Sequence, residues 1–191
     1  MKVCLGNGPI PLDEQKILNP IERGWKMLEL GNKKNKKGTY KSFLEHDVEH
    51  VSVDWNGLDG ALRMDLREKQ DVFCEGGKWN QYFDIITNMG TTEHVNPQGF
   101  VWHNILNALK PDGILACATP APGNWAWHQK GGGLFPTEAF YQDLARRNGL
   151  LILKMYKGGK NPRIEIFVRM LKLVHIHNIT IDKKLFYING E

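Results

Sequence analysis

Apolar positions along the chain follow two rhythms. Short apolar or β-branched runs bounded by turn residues predict strands at Trp25–Leu30, Val51–Asp54, Ala61–Leu66, Phe83–Thr87, Gly113–Ala118, Leu150–Tyr156 and Ile164–Leu171. Between them, apolar residues recur at helical spacing. Over Gln98–Leu109 the side chains of Trp102, Ile105, Leu106 and Leu109 share one face, and Lys110-Pro111-Asp112-Gly113 ends the pattern. Thr137–Asn148 is a second helix, entered at Pro136-Thr137, carrying Phe140 and Leu144 on one face and leaving through Asn148-Gly149. Thr39–Glu45 is a third, shorter one. Strands alternating with helices predict a parallel sheet covered on both faces. The last two strand runs are joined by residues 157–163 without room for a helix, so they are expected to pair antiparallel. Two apolar runs in the tail, Ile179-Thr180-Ile181 and Leu185-Phe186-Tyr187-Ile188, read as a further small hairpin.

Composition adds bounds. The chain has 191 residues, 41% hydrophobic and 24% charged, which suits one globular domain over 1–191 with a core over about 22–171 and an extension over 172–191. No apolar run reaches the roughly 18–20 residues of a membrane span. The first residues lack a signal-peptide core, so a cytoplasmic location is expected. Cys4, Cys74 and Cys117 are far apart and fit reduced thiols. No metal site is expected: His175 and His177 alternate in the tail without further ligands nearby. The net charge of +4 is uneven, with Lys33, Lys34, Lys36 and Lys37 crowding one loop. That loop reads as a solvated segment, with anion binding as the alternative.

In open α/β sheets ligands bind beyond the carboxyl ends of the strands. The residues there are Glu29-Leu30-Gly31-Asn32, Asp54-Trp55-Asn56-Gly57, Asp65-Leu66, Asn88 to Val95, and Thr119 to Gly123. Leu28-Glu29-Leu30-Gly31, Val53-Asp54, Met64-Asp65-Leu66, Phe83-Asp84-Ile85-Ile86, Glu93-His94-Val95 and Leu109-Lys110-Pro111-Asp112-Gly113-Ile114-Leu115 follow in order. Together, over Trp25–Leu171, these segments resemble the class I S-adenosylmethionine-dependent methyltransferase family. The resemblance implies a Rossmann-like three-layer sandwich whose mostly parallel, seven-stranded sheet ends in an antiparallel hairpin. It also implies S-adenosylmethionine as cofactor. Gly31 would then allow close backbone approach. Glu29 would orient that loop or meet the amino end of the cofactor. Asp54 would accept the ribose hydroxyls, Trp55 would cover the adenine, and Asp65 and Leu66 would meet its amino group and ring. Asn88 and Gly90, after the fourth strand run, complete the implied cofactor set. One departure stands out: lysines fill residues 33–37, where the family's first loop is glycine-rich. Neither a Walker phosphate loop nor the dinucleotide fingerprint is present.

The chemistry asks for alignment of nucleophile, methyl and sulfur, and for a base where the acceptor is a hydroxyl. His94 and His128 are the candidate bases. Glu93 stands beside the first, and Trp125 and Trp127 precede the second. Both histidines also fit structural roles. The chain shows no separate recognition domain, so a small-molecule acceptor is expected, a sugar or similar metabolite among the choices. Two alternatives stay open. A nucleic-acid methyltransferase would suit the basic loops, but Asn88-Met89-Gly90-Thr91 stands where such amino-methylating enzymes carry Asn/Asp-Pro-Pro-Tyr/Phe. A non-catalytic, methyltransferase-like partner protein would suit the lysine-filled loop. The oligomeric state is not specified by the sequence.

Overall fold

The computed structural model describes residues 24–31, 48–124, 133–159 and 162–171, and the backbone of short strands at 4–5, 8–9 and 186–188. The strands are β1 (Cys4–Leu5), β2 (Gly8–Pro9), β3 (Lys26–Leu30), β4 (Glu49–Asp54), β5 (Leu62–Arg63), β6 (Phe83–Met89), β7 (Leu109–Pro120), β8 (Leu134–Pro136), β9 (Leu150–Gly158), β10 (Arg163–Met170) and β11 (Phe186–Ile188). The helices are α1 (Gln98–Ala108) and α2 (Glu138–Arg147). Seven strands form one sheet in the order β5-β4-β3-β6-β7-β10-β9. The pairs from β5 to β7 are parallel, and β10 runs against both of its neighbours, β7 and β9. The order reverses between β3 and β6. That reversal is the switch point at which a crevice opens beyond the strand ends.

Continuous apolar runs make the central strands because both faces of this sheet are buried. On one face, Leu28, Leu30, Ile86 and Leu115 pack with Trp102, Ile105 and Leu106 of α1 and with Phe140, Tyr141 and Leu144 of α2. The two helices meet there, the Trp102 and Phe140 rings lying 5.3 Å apart. On the other face, Met27, Ile85, Ala116 and Phe167 form a smaller buried cluster. No helix among the described residues is long and apolar enough to cross a membrane.

The structure changes several boundaries. The strand expected over Ala61–Leu66 contracts to Leu62–Arg63, because Asp65 folds the chain into a turn by accepting the Arg67 backbone N–H at 2.9 Å. The strand expected at Gly113–Ala118 begins at Leu109, directly after α1. Lys110 to Gly113 bulge out of the ladder, since Phe83 pairs with Leu109 while Ile85 pairs with Ile114, and Asp112 takes φ +61° in the bulge. In the tail, Phe186–Ile188 runs antiparallel to β8, a strand the apolar pattern did not single out. Ile179-Thr180-Ile181 and the helix expected at Thr39–Glu45 lie outside the described residues.

Candidate functional site

Beyond the carboxyl ends of β4, β5 and β6 lies a cleft of about 450 Å³. Small-molecule sites commonly span roughly 300–1,000 Å³. Its walls bring together Asp54 and Trp55 after β4, Asp65, Leu66 and Arg67 after β5, and Gly90, Thr91 and His94 after β6. Val53, Met64 and Val95 supply apolar surface.

Each wall is held by its own local chemistry. After β3 the chain turns at Gly31, whose N–H donates to the Val53 carbonyl at 2.8 Å and whose φ is +112°. The Ser52 hydroxyl donates to the Gly31 carbonyl. Thr91 closes the same corner, its hydroxyl donating to the Leu30 carbonyl at 2.8 Å. Asn88 is fully buried beneath the turn that follows β6. Its carbonyl oxygen accepts the Thr91 and Thr92 N–H groups at 3.3 and 3.2 Å, and its amide donates to the Thr92 hydroxyl at 2.7 Å. Gln98 ties this turn to α1, donating to the carbonyls of Thr92 and Val95 and accepting from the Trp102 indole at 2.8 Å.

The acids differ in what they have left to offer. Among the described residues the Asp54 carboxylate accepts only the Asn56 backbone N–H, at 3.1 Å, so its second oxygen keeps open acceptor sites. Asp65 is gripped by Arg67, whose Nε lies 2.9 and 3.0 Å from the two carboxylate oxygens. That hydrogen bonding holds the Asp65 carboxyl below the usual range. Glu29 does not reach the cleft wall. It is fully buried within β3, one oxygen 3.3 Å from Nε2 of His50 on β4. His94 stands at the rim, where loss of water from its ring lowers its pKa and favours the neutral imidazole. Trp55 is 73% exposed, a large aromatic face at the mouth with little apolar cover.

Six expected site residues, Asp54, Trp55, Asp65, Leu66, Gly90 and His94, therefore share one cleft. Gly31 and Asn88 brace the loops behind it, and His128, Trp125, Trp127 and the lysine run lie outside the described residues. Arg67 and Thr91 are lining residues that sequence reasoning passed over. The two-residue offset of Arg67 from Asp65 was the one available signal for it.

No protein-family model and no curated protein matches the sequence. Solved structures do match. The 1,6-didemethyltoxoflavin-N1-methyltransferase of Burkholderia thailandensis, solved with 1,6-didemethyltoxoflavin and S-adenosylhomocysteine, aligns at a TM-score of 0.57. Its identity is 17%, over 83% of this chain and 75% of that one. A putative sarcosine dimethylglycine methyltransferase from Galdieria sulphuraria aligns at 0.59 and 14% identity, over 84% of this chain and 83% of that one. An S-adenosylmethionine-dependent methyltransferase from Mesorhizobium loti aligns at 0.58 and 14% identity, over 82% and 96%. The fold of this chain is thus the class I, Rossmann-like methyltransferase fold.

Proposed function

We propose that the chain is an S-adenosylmethionine-dependent methyltransferase acting on a small-molecule acceptor. One observation carries this reading. In a sheet of methyltransferase order, the cleft at the switch point places a carboxylate with spare acceptor sites, Asp54, beside apolar and aromatic surface and a glycine wall. Those features fit an adenosine group, which needs an acceptor for its hydroxyls and apolar walls for its ring. When bound, the cofactor supplies a sulfonium methyl, an electrophile whose leaving group is a neutral thioether.

In this reading Asp54 accepts the ribose hydroxyls. Leu66 and Trp55 flank the adenine ring, and Asp65 meets its amino group with the acceptor capacity Arg67 leaves. Gly90 lets the ligand approach the backbone. Gly31, Asn88 and the buried Glu29 hold the loops that frame it. His94, neutral at the rim, is the proposed base for the acceptor proton, and His128 is the second. Two of the similar structures are methyltransferases for small molecules by their names, which supports the same acceptor class here.

Calorimetric titration with S-adenosylmethionine and S-adenosylhomocysteine tests the reading. Asp54→Ala is expected to weaken both by about 1–3 kcal/mol, the cost of stranding hydroxyls that have lost their acceptor. Unchanged affinity removes Asp54 from the site. Absence of binding to the native chain overturns the enzyme reading in favour of a non-catalytic partner protein.

A further inference from the structure

The turn after β6 buries a second carboxyl that none of the roles above uses. Glu93 is 2% exposed, and among the described residues neither of its oxygens has a hydrogen-bond partner. Its own backbone N–H lies close enough to favour the charged form without completing a hydrogen bond. A carboxylate stripped of water and left unpaired is costly, so such a group needs a compensating charge or a proton. Burial pushes its pKa up to about 7.

The neighbours of Glu93 do not supply that compensation in full. From β7, Cys117 is held neutral, its pKa pushed up to about 12 by burial. From α2, Tyr141 is fully buried and shifted well above its ordinary value, its hydroxyl 2.8 Å from that of Thr119. From the turn itself, His94 is shifted toward the neutral form. Among the described residues the one cation acting on Glu93 is Arg163 at the start of β10, and its effect is the smallest of the three that set the carboxyl's pKa. Where Glu93 sits suggests the missing partner. Gly90 forms part of the cleft wall, and a Cβ there would stand 3.3 Å from Oε1 of Glu93. Glu93 does not itself line the cleft; it lies against the backbone of the Gly90 wall, with no side chain at position 90 between them.

We propose that Glu93 is the counter-charge of the cleft: ionised when a cationic methyl donor is bound, and the acceptor of a proton once the cleft holds only neutral product. This rests on the methyltransferase reading above. The balance closes without an added reagent. The acceptor atom gives its lone pair to the methyl carbon, the carbon–sulfur pair stays on sulfur, and the acceptor's N–H or O–H proton is taken by His94 at the rim and comes to rest on the Glu93 carboxylate. One positive charge leaves the sulfonium and one negative charge leaves Glu93. The substrate class that follows is an amine or hydroxyl acceptor with a hydrogen to release, since a neutral nucleophile without one would itself become the cation and leave no proton for Glu93.

The test needs no acceptor. S-adenosylmethionine and S-adenosylhomocysteine differ by the sulfonium methyl, so their affinity ratio isolates the response to charge. In the native chain the preference for the cationic ligand is expected to grow several-fold between pH 6 and pH 8. Near pH 7, titrations in buffers of different ionisation heat should show more protons released with the cation than with the neutral ligand. Glu93→Gln should flatten the ratio and remove the difference in proton release. A ratio independent of pH in the native chain, or one that persists in Glu93→Gln, overturns the proposal while leaving the cofactor reading intact. Failure of both ligands to bind overturns both. Should Glu93→Gln fold poorly, the native chain's proton release decides the matter alone.

Discussion

Position 31 favours glycine for two separate reasons. Its φ of +112° is a conformation that side-chain-bearing residues avoid, and a Cβ there would approach the Thr91 hydroxyl to 3.0 Å. Gly31→Ala is therefore expected to cost about 1–3 kcal/mol of unfolding free energy, measured by urea titration. Because Thr91 lines the cleft, ligand affinity should fall with it. Asp54, Trp55, Asp65, Leu66, Gly90 and His94 were legible in the sequence as one group because each ends or follows a strand run, and strand ends converge in such sheets. Glu29 and Asn88 were not separable from them by the same rule. Whether a polar residue at a strand end faces the crevice or the sheet depends on its neighbours, and here His50 and the turn amides draw those two inward.

At the scale of elements, the pattern reads best where periodicity and capping agree. The side chain of Thr137 accepts the Phe140 N–H at 3.2 Å and starts α2, while Gly149 at φ +63° follows its end. Thr137→Ala should lower stability by about 1 kcal/mol, seen as a lower urea midpoint with an unchanged slope. Where the pattern failed, local side chains outweighed it. Met64 and Leu66 carry β-compatible apolar character, yet the Asp65–Arg67 turn ends β5 after two residues. Lys-Pro-Asp-Gly reads as the end of a helix followed by a loop. In the molecule the strand has already begun at Leu109, and these residues become its bulge. The pairing of β11 with β8 joins segments about 50 residues apart, a relation that periodicity does not encode.

For the whole molecule, Glu93 couples stability to pH. Its folded pKa of about 7 lies above the ordinary value of 4.5, so the native state holds this proton more tightly than the unfolded chain. The stabilisation is complete below the unfolded pKa and is lost as pH rises through the folded one. Unfolding free energy of the ligand-free protein should thus fall between pH 4.5 and 7 and level off above. Glu93→Gln should remove this slope and be the more stable form at pH 8, by on the order of 2–3 kcal/mol. The position of β10 bears on how the molecule is made. It lies between β7 and β9 although it follows both in the chain. During synthesis the apolar stretch Ile114–Ala118 of β7 leaves the ribosome about 50 residues ahead of its antiparallel partner. Over that interval the half-built sheet presents an open, apolar edge, the kind of surface that chaperones hold and that neighbouring nascent chains aggregate upon.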